Sequence, residues 1–377
     1  MTPTVIEAQR EDDRRDVVHR AVQALAEGQV IAFPTDAVYA LAASALSEAA
    51  VRRVLEIQTA QNRDPPCALS VRGAEEALDY APLMSKLGQR LTRRGWPGPL
   101  TIQLDASHAD SLVHRLPESA RSAVAPNNQI NLRVPDCPLL QEVQRMLIGP
   151  VVLSSVGDAP VVTAAEAVQA LGDQVPLVLD DGPCRYGQAE TLIRVNETSF
   201  QTLRLGAMAE PLVQRMASVV IVFVCTGNTC RSPMAEAMCR ALAADRIGCD
   251  ADQLEENGVV VLSAGVSASS GGRASPEAVE IMRRRGVGLD DHCSQPLTET
   301  MVEQADFMLV MTNSHRQAIL SYFPEAKDRV VLLCRDQADV SDPIGGPLES
   351  YQRCADQIES NLKVWIEEWE FSNRKGT

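Results

Sequence analysis

Residues 219–225, Val-Val-Ile-Val-Phe-Val-Cys, form an unbroken apolar run of β-branched and aromatic side chains, the pattern of a strand buried on both faces. A polar stretch, Thr226-Gly-Asn-Thr229, ends the run, and Met234–Ala243 beyond it is rich in strong helix formers. The segment reads as a strand feeding a tight loop that opens a helix. Earlier in the chain, Arg14–Glu27 has the spacing of an amphipathic helix stopped by Gly28. Val30–Phe33, Val151–Ser155 and Pro176–Leu179 read as short buried strands, and Glu48–Ile57 and Ala164–Leu171 as helices. Strands and helices mix without regular alternation, so the pattern of the first part gives an α/β domain and no more.

Length adds a second domain, because 377 residues exceed what one core of ordinary size organises. The boundary is expected in or near Ala207–Ser218, giving domains 1–212 and 218–377 with a short linker. Acidic residues outnumber basic ones by 50 to 35, a net charge of −15 that argues against non-specific nucleic-acid binding. The ten cysteines show no CxxC spacing, the start of the chain is polar, and no stretch approaches the length of a membrane span. A reducing, cytoplasmic setting without membrane attachment is expected. The five histidines lack metal spacing, so no metal is expected, and His292 and His315 are read as structural or surface residues. Arg283–Arg285 reads as a solvated helix face, and Trp365 with Trp369 as packing residues of the last helix.

Candidate chemistry concentrates after the apolar run. Cys225 opens the loop, Arg231 follows six residues on, and Ser232 and Pro233 begin the helix. A helix N-terminus presents backbone N–H groups without intrahelical partners, and its dipole adds partial positive charge. A cysteine placed there is favoured as the nucleophilic thiolate. Arg231 supplies a planar fork that fits a phosphate bidentately. Gly227 and Asn228 are expected in left-handed conformations as the loop curls around an anion. Pro233 suits a first helical turn, where its missing N–H costs nothing. A cysteine after a buried strand is otherwise a small core residue, and the polar insert argues against that position here.

Cys225-Thr-Gly-Asn-Thr-Cys-Arg-Ser-Pro233 resembles the phosphate-binding loop of the low-molecular-weight protein tyrosine phosphatases. The similarity continues through Met234-Ala-Glu-Ala237 and Ser263-Ala-Gly-Val266 to Ser341-Asp-Pro-Ile-Gly-Gly346, covering about residues 218–370. It implies a doubly wound parallel sheet and a phosphatase that works through a phosphocysteine intermediate on a phosphorylated protein, without cofactor or metal. Cys225 would be the nucleophile, Arg231 the phosphoryl clamp, and Asp342 the acid and later the base. Thr226, Gly227, Asn228, Thr229 and Cys230 would bind phosphate or shape the loop, with Ser232 donating to the thiolate. Taken alone, Asp342-Pro343 is an ordinary turn signal. Within this family, bacterial protein arginine phosphatases carry a threonine at the position of Thr229, and Ile344-Gly345 supplies no aromatic to hold a phenyl ring. Phosphoarginine is therefore read ahead of phosphotyrosine. For Cys230 two readings stay open, a protective disulfide with Cys225 as in some relatives, and an inert loop residue.

In the first part, Pro34-Thr-Asp-Ala-Val-Tyr-Ala-Leu41, Trp96-Pro-Gly-Pro-Leu-Thr101, Leu132-Arg-Val-Pro135 and Leu203-Arg-Leu-Gly206 are similar, in order, to YrdC-like threonylcarbamoyl-AMP synthase domains. The similarity covers about residues 10–210. It implies an α/β fold with a twisted mixed sheet and a site for threonine, bicarbonate and ATP with Mg, serving tRNA modification. Thr35, Arg133 and Ser155 keep the family's residue types. The family's Lys-x-Arg phosphate grip is replaced by Gln58-Thr59-Ala60, its Ser-Ala-Asn by Ser155-Val156-Gly157, and its Ser-Thr pair by Glu190-Thr191. Each charge-assisted phosphate contact contributes about 1.5–3 kcal/mol. Arg63 is the nearest basic residue to stand in for the grip, and Lys86 is the only lysine before residue 218. Two readings follow: a YrdC-like module that senses a ligand or positions a substrate, or an active L-threonylcarbamoyladenylate synthase in a bifunctional protein.

Overall fold

The computed structural model describes residues 3–8, 14–61, 67–157 and 159–369. Two compact units divide the chain, Met1–Met216 and Ala217–Thr377. In the first, ten strands form one mixed sheet: β1 (Thr4–Glu7), β2 (Ile31–Phe33), β3 (Ala40–Ser44), β4 (Ala68–Ser70), β5 (Leu100–Asp105), β6 (Gln129–Arg133), β7 (Val151–Ser155), β8 (Leu177–Asp180), β9 (Thr191–Val195) and β10 (Phe200–Arg204). Their order is β1-β8-β2-β3-β7-β4-β6-β5-β9-β10, with parallel and antiparallel pairs interspersed. The Arg14–Ala26 and Pro138–Met146 helices bury Val17, Ala21, Leu25, Leu139 and Val143 against Ile31, Phe33 and Leu153. The helix from Glu48 runs on to Ala60, three residues past Ile57, because nothing in Gln58-Thr59-Ala60 breaks it.

The second unit has four parallel strands, β11 (Val219–Cys225), β12 (Val259–Gly265), β13 (Phe307–Val310) and β14 (Val330–Leu332), in the order β12-β11-β13-β14. The chain leaves β11 to one side for β12 and returns to the other for β13. That reversal opens a crevice at the carboxyl ends of the strands, where ligands bind in open α/β sheets. Alternation along β11 sends Val219, Ile221, Phe223 and Cys225 into one core and Val220, Val222 and Val224 into the other. Cys225 therefore emerges on the face covered by the Arg231–Ile247 and Leu348–Glu368 helices.

The helix after the loop is longer than its Met234–Ala243 signature. It begins at Arg231, since Pro233 needs no N–H partner in the first turn, and Gly248 closes it at φ +77°. Trp365 and Trp369 pack with Phe307, their ring centroids 6.2 and 5.2 Å from its ring, and Trp365 Nε1 donates to Leu333 O at 2.8 Å. The expected solvated face at Arg283–Arg285 needs correction at its last residue. Arg285 has its side chain 17% exposed and pairs with Asp356 and Glu359 of the final helix, while Arg283 and Arg284 pair with Glu280. Among the described residues, no helix is long and apolar enough to cross a membrane.

Candidate active site

Cys225 ends β11 with its Sγ under the start of the Arg231–Ile247 helix. The Asn228 N–H donates to that sulfur at 3.2 Å, and Ser232 Oγ lies 3.0 Å from it. These two groups suit a thiolate, which accepts hydrogen bonds and donates none. Burial pushes the thiol of Cys354, on the covering helix, up to about 12.

Asn228 organises the loop from a left-handed backbone, φ +54°. Its Nδ2 donates to Ser232 Oγ at 3.0 Å and Ser263 Oγ at 2.8 Å, and its Oδ1 accepts the Gln295 N–H at 2.9 Å. Ser263 in turn donates to Glu236 Oε2 at 2.6 Å. The expectation for Gly227 fails, since it is not among the residues with positive φ and an added Cβ would meet only Thr229 Oγ1 at 3.7 Å. The residue that must be glycine lies on the neighbouring strand. A Cβ at Gly265 would sit 2.5 Å from Thr226 O and 3.0 Å from Asn228 N, so β12 approaches the loop as closely as backbone allows.

Two histidines read as structural or surface residues both touch this loop. His315 is buried, its Nε2 2.9 Å from Thr226 Oγ1 and its Nδ1 2.9 Å from Thr312 Oγ1. Burial, helped by the Arg231 charge, pushes its pKa down to about 4, so the ring is neutral near pH 7. His292 Nε2 lies 2.8 Å from the Asn228 carbonyl. Thr229 is half-buried and its carbonyl accepts the Ser275 N–H at 2.9 Å. Cys230 is buried and free, its sulfur 3.3 Å from Ser275 Oγ and 3.7 Å from the Tyr351 hydroxyl.

Arg231 is nearly buried, its side chain 6% exposed. Its NH1 donates to Val340 O at 3.3 Å and its NH2 to Asp342 Oδ2 at 2.5 Å. Asp342 is 43% exposed, and its other oxygen accepts the Ile344 N–H at 3.3 Å. The structure thus gathers Cys225, Arg231, Ser232 and Asp342 into one site, although Asp342 lies 111 residues from Arg231 in sequence.

The N-terminal residues singled out from sequence assemble differently. Thr35 spends its hydroxyl on a turn, donating to Val38 O at 2.6 Å and accepting from the N–H groups of Ala37 and Val38. Arg133 and Ser155 line one cleft together with Glu190 and Arg204. Gln58, where the family resemblance expects a lysine, is buried and donates to Ser154 Oγ and to Cys67 Sγ. Arg133 and Arg204 both pair with Glu190, so neither cation in this lining is uncommitted for a triphosphate. Arg63 lies outside the described residues. Among the described residues no cluster of three or more His, Cys, Asp or Glu could hold a metal ion.

Comparison with known proteins separates the same two halves. Residues 220–374 match the family described as low molecular weight phosphotyrosine protein phosphatase, and residues 23–206 match the Sua5/YciO/YrdC family, described as telomere recombination. A protein-arginine-phosphatase of Bacillus subtilis (strain 168) is 43% identical over 147 residues, 38% of this chain and 91% of the relative. The "Probable low molecular weight protein-tyrosine-phosphatase EpsP" of Ralstonia nicotianae is 35% identical over 147 residues, 39% of this chain and 92% of the relative. The "Putative threonylcarbamoyl-AMP synthase" of Mycobacterium tuberculosis (strain ATCC 25618 / H37Rv) is 31% identical over 225 residues, 58% of this chain and 96% of the relative.

Proposed function

The chain belongs to the low-molecular-weight phosphotyrosine protein phosphatase family through residues 220–374 and to the Sua5/YciO/YrdC family through residues 23–206, and we propose that it hydrolyses phosphoarginine in proteins in preference to phosphotyrosine. The observation that carries this reading is the convergence of Asn228 N–H and Ser232 Oγ on Cys225 Sγ, with Arg231 and Asp342 paired beside it. Nucleophile, proton carrier and phosphoryl clamp then stand within one crevice.

In the first step the Cys225 thiolate attacks phosphorus in line, and the bond from phosphorus to the guanidine nitrogen breaks. Asp342 gives its proton to the departing nitrogen, while Arg231 and the loop N–H groups hold the phosphoryl oxygens. In the second step water attacks the phosphocysteine and the Asp342 carboxylate takes its proton. The P–S bond breaks, returning a thiolate to Asn228 and Ser232. A phosphoryl group competes with Asp342 for the Arg231 guanidinium, so substrate entry loosens the pair and lets the carboxyl turn to the leaving group.

Preference for phosphoarginine rests on the loop and its rim. Thr229 carries a short side chain with a hydroxyl where a bulkier aliphatic residue would narrow the mouth. After Asp342, the 68% exposed Ile344 offers no ring to stack on a phenol. The greater identity to the arginine phosphatase than to the tyrosine phosphatase supports the same choice. Hydrolysis of p-nitrophenyl phosphate should vanish in Cys225→Ser, falling by roughly 10³-fold or more. Wild type should cleave phosphoarginine peptides faster than phosphotyrosine peptides, and Thr229→Ile should reverse that order. Unchanged preference in Thr229→Ile would sink the substrate assignment while leaving the phosphatase reading intact.

We assign the N-terminal unit no synthase reaction. Its cleft commits both arginines to Glu190, and Gln58 is engaged with Ser154 where a phosphate grip would stand.

A further inference from the structure

The two-step reaction gives His315 no task, although the ring is buried against the nucleophile's loop. His315 stands in the first turn of the Asn313–Tyr322 helix, whose N-cap Thr312 accepts the His315 N–H at 3.3 Å. The same Thr312 hydroxyl lies 2.9 Å from Nδ1, so two contacts to one residue orient the ring. Nε2 then points at Thr226 Oγ1, 2.9 Å away. Thr226 directly follows the nucleophile, and its carbonyl accepts the Ser267 N–H at 3.0 Å, which holds its backbone. The loop is thus tied to both strands that flank β11. Thr229 is tied through Ser275 beyond β12, and Thr226 through His315 beyond β13.

The polar side chains of the loop differ in what they can offer a ligand. Asn228 is fully buried and spends its amide on Ser232, Ser263 and Gln295. Thr229 is half-buried, whereas Thr226 is exposed, with His315 as the partner of its hydroxyl among the described residues. A hydroxyl has one proton and two lone pairs. Whichever tautomer the ring adopts, the bond to Nε2 uses the proton or one lone pair, so at least one lone pair is left for an incoming donor. The ring is neutral near pH 7, because burial and the Arg231 charge outweigh Asp342 and Asp339. It therefore adds no positive charge that would repel a cationic group at the hydroxyl. Arg231 and Asp342 both act on the ring's charge, so the hydroxyl bonded to it borders the place where the leaving group departs.

We propose that Thr226 is a second specificity-determining residue, whose hydroxyl accepts an N–H of the substrate guanidinium, and that His315 is the positioning residue that aims it. A guanidinium carries several donors and no acceptor, whereas the ester oxygen and ring of phosphotyrosine carry no N–H or O–H. A hydroxyl held with a lone pair outward gains a bond with the first substrate and none with the second. Because Thr226 is open to water, the gain is that of one hydrogen bond to a charged group, roughly tenfold, well below the discrimination of a fully buried partner. This role rests on the phosphoarginine reading and deepens it.

The test is the kinetics of the full chain on phosphoarginine and phosphotyrosine peptides of otherwise identical sequence, in wild type, Thr226→Val and Thr226→Ser. The ratio of kcat/KM, phosphoarginine over phosphotyrosine, should fall roughly tenfold in Thr226→Val, mainly through KM, and return toward wild type in Thr226→Ser. Damage to the loop alone lowers both substrates alike and leaves the ratio unchanged, and that result overturns the proposal. His315→Leu frees the hydroxyl to turn and should lower the ratio by a smaller factor. An unchanged ratio there overturns the part assigned to His315. Thr226→Val leaves the buried Nε2 without its partner. Should it fail to fold, Thr226→Val combined with His315→Leu removes both ends of the bond and must show the same fall in ratio. A wild type without preference for phosphoarginine sinks the substrate reading and the Thr226 role together. A wild type that prefers it, with an unchanged ratio in Thr226→Val, sinks the Thr226 role alone.

Discussion

Each unit holds a buried arginine against a carboxylate, and the two pairs differ in what the arginine can release. Arg231, at a helix start, faces Asp342, a residue 43% exposed on a loop, and otherwise donates to the Val340 carbonyl. Arg133 faces Asp36, with a side chain 0% exposed, and Glu190, 13% exposed. An exposed carboxylate re-solvates at little cost when it lets go, whereas a buried one is left uncompensated. The first pair is therefore a clamp that can open to a phosphoryl group. The second is a lock. An anion site is defined as much by the mobility of the arginine's resident partner as by the arginine.

The most direct way to break this comparison is to ask the N-terminal unit for its family's reaction. Full-length protein supplied with threonine, bicarbonate and ATP is expected to form no threonylcarbamoyl adenylate above the enzyme-free rate. Chromatographic detection of that adenylate would show that the cleft accepts a triphosphate despite Glu190, and the contrast between clamp and lock would fall.

Replacing the partner on the clamp side sharpens it. Asp342→Asn keeps a group that can face Arg231 but removes the proton carrier, so kcat on a peptide substrate should drop by roughly 10²–10⁴-fold. Burst kinetics should show which step is hit. If Asp342 serves both steps, a phosphocysteine still forms slowly and then persists, trapped for want of a base. A loss confined to KM would mean that Asp342 only holds Arg231 in place.

The clamp was legible in the sequence, and the lock was not, for a physical reason. Cys225, Arg231 and Ser232 lie on one continuous strand–loop–helix whose apolar run, polar insert and Pro233 each carry local information. The groups that hold that loop from outside carry none. His315 lies 89 residues from Thr226, His292 lies 64 from Asn228, and each is a single residue with no surrounding period. Ser263 stood inside a recognised motif, yet its hydroxyl acts only through Asn228, a contact that packing of β12 against β11 creates. Gly227 misled because glycine in a loop suggests a left-handed turn, while the tight approach falls at Gly265. In the N-terminal unit, Glu190 reads as the loss of one hydroxyl of a Ser-Thr pair, with Thr191 keeping the other. Its role as a bridge needed Arg204 from β10, which pairs with β9, and Arg133 from β6, which pairs with β5 and β4 instead.

The smallest expected effect concerns pH and again separates the two sites. His315 has a pKa lowered from 6.5 to about 4 by burial and the Arg231 charge, so it is neutral in the folded protein where the unfolded chain would begin to charge it. A depressed folded-state pKa contributes stability that is full above about 6.5 and is lost as pH falls toward 4. Over that window the loss is on the order of 3 kcal/mol, since each pKa unit corresponds to about 1.4 kcal/mol. Asp36 works with the opposite sign: burial raises its pKa, so acid eases the strain of its charge. His315→Asn retains hydrogen-bonding capacity toward Thr226 and Thr312 without titrating. Thermal midpoints recorded from pH 7 to 4 should fall less steeply in this variant than in wild type, by the equivalent of about one proton. Parallel curves would mean that the ring titrates alike in the folded and unfolded protein, and that Thr226 is held by something other than a neutral histidine.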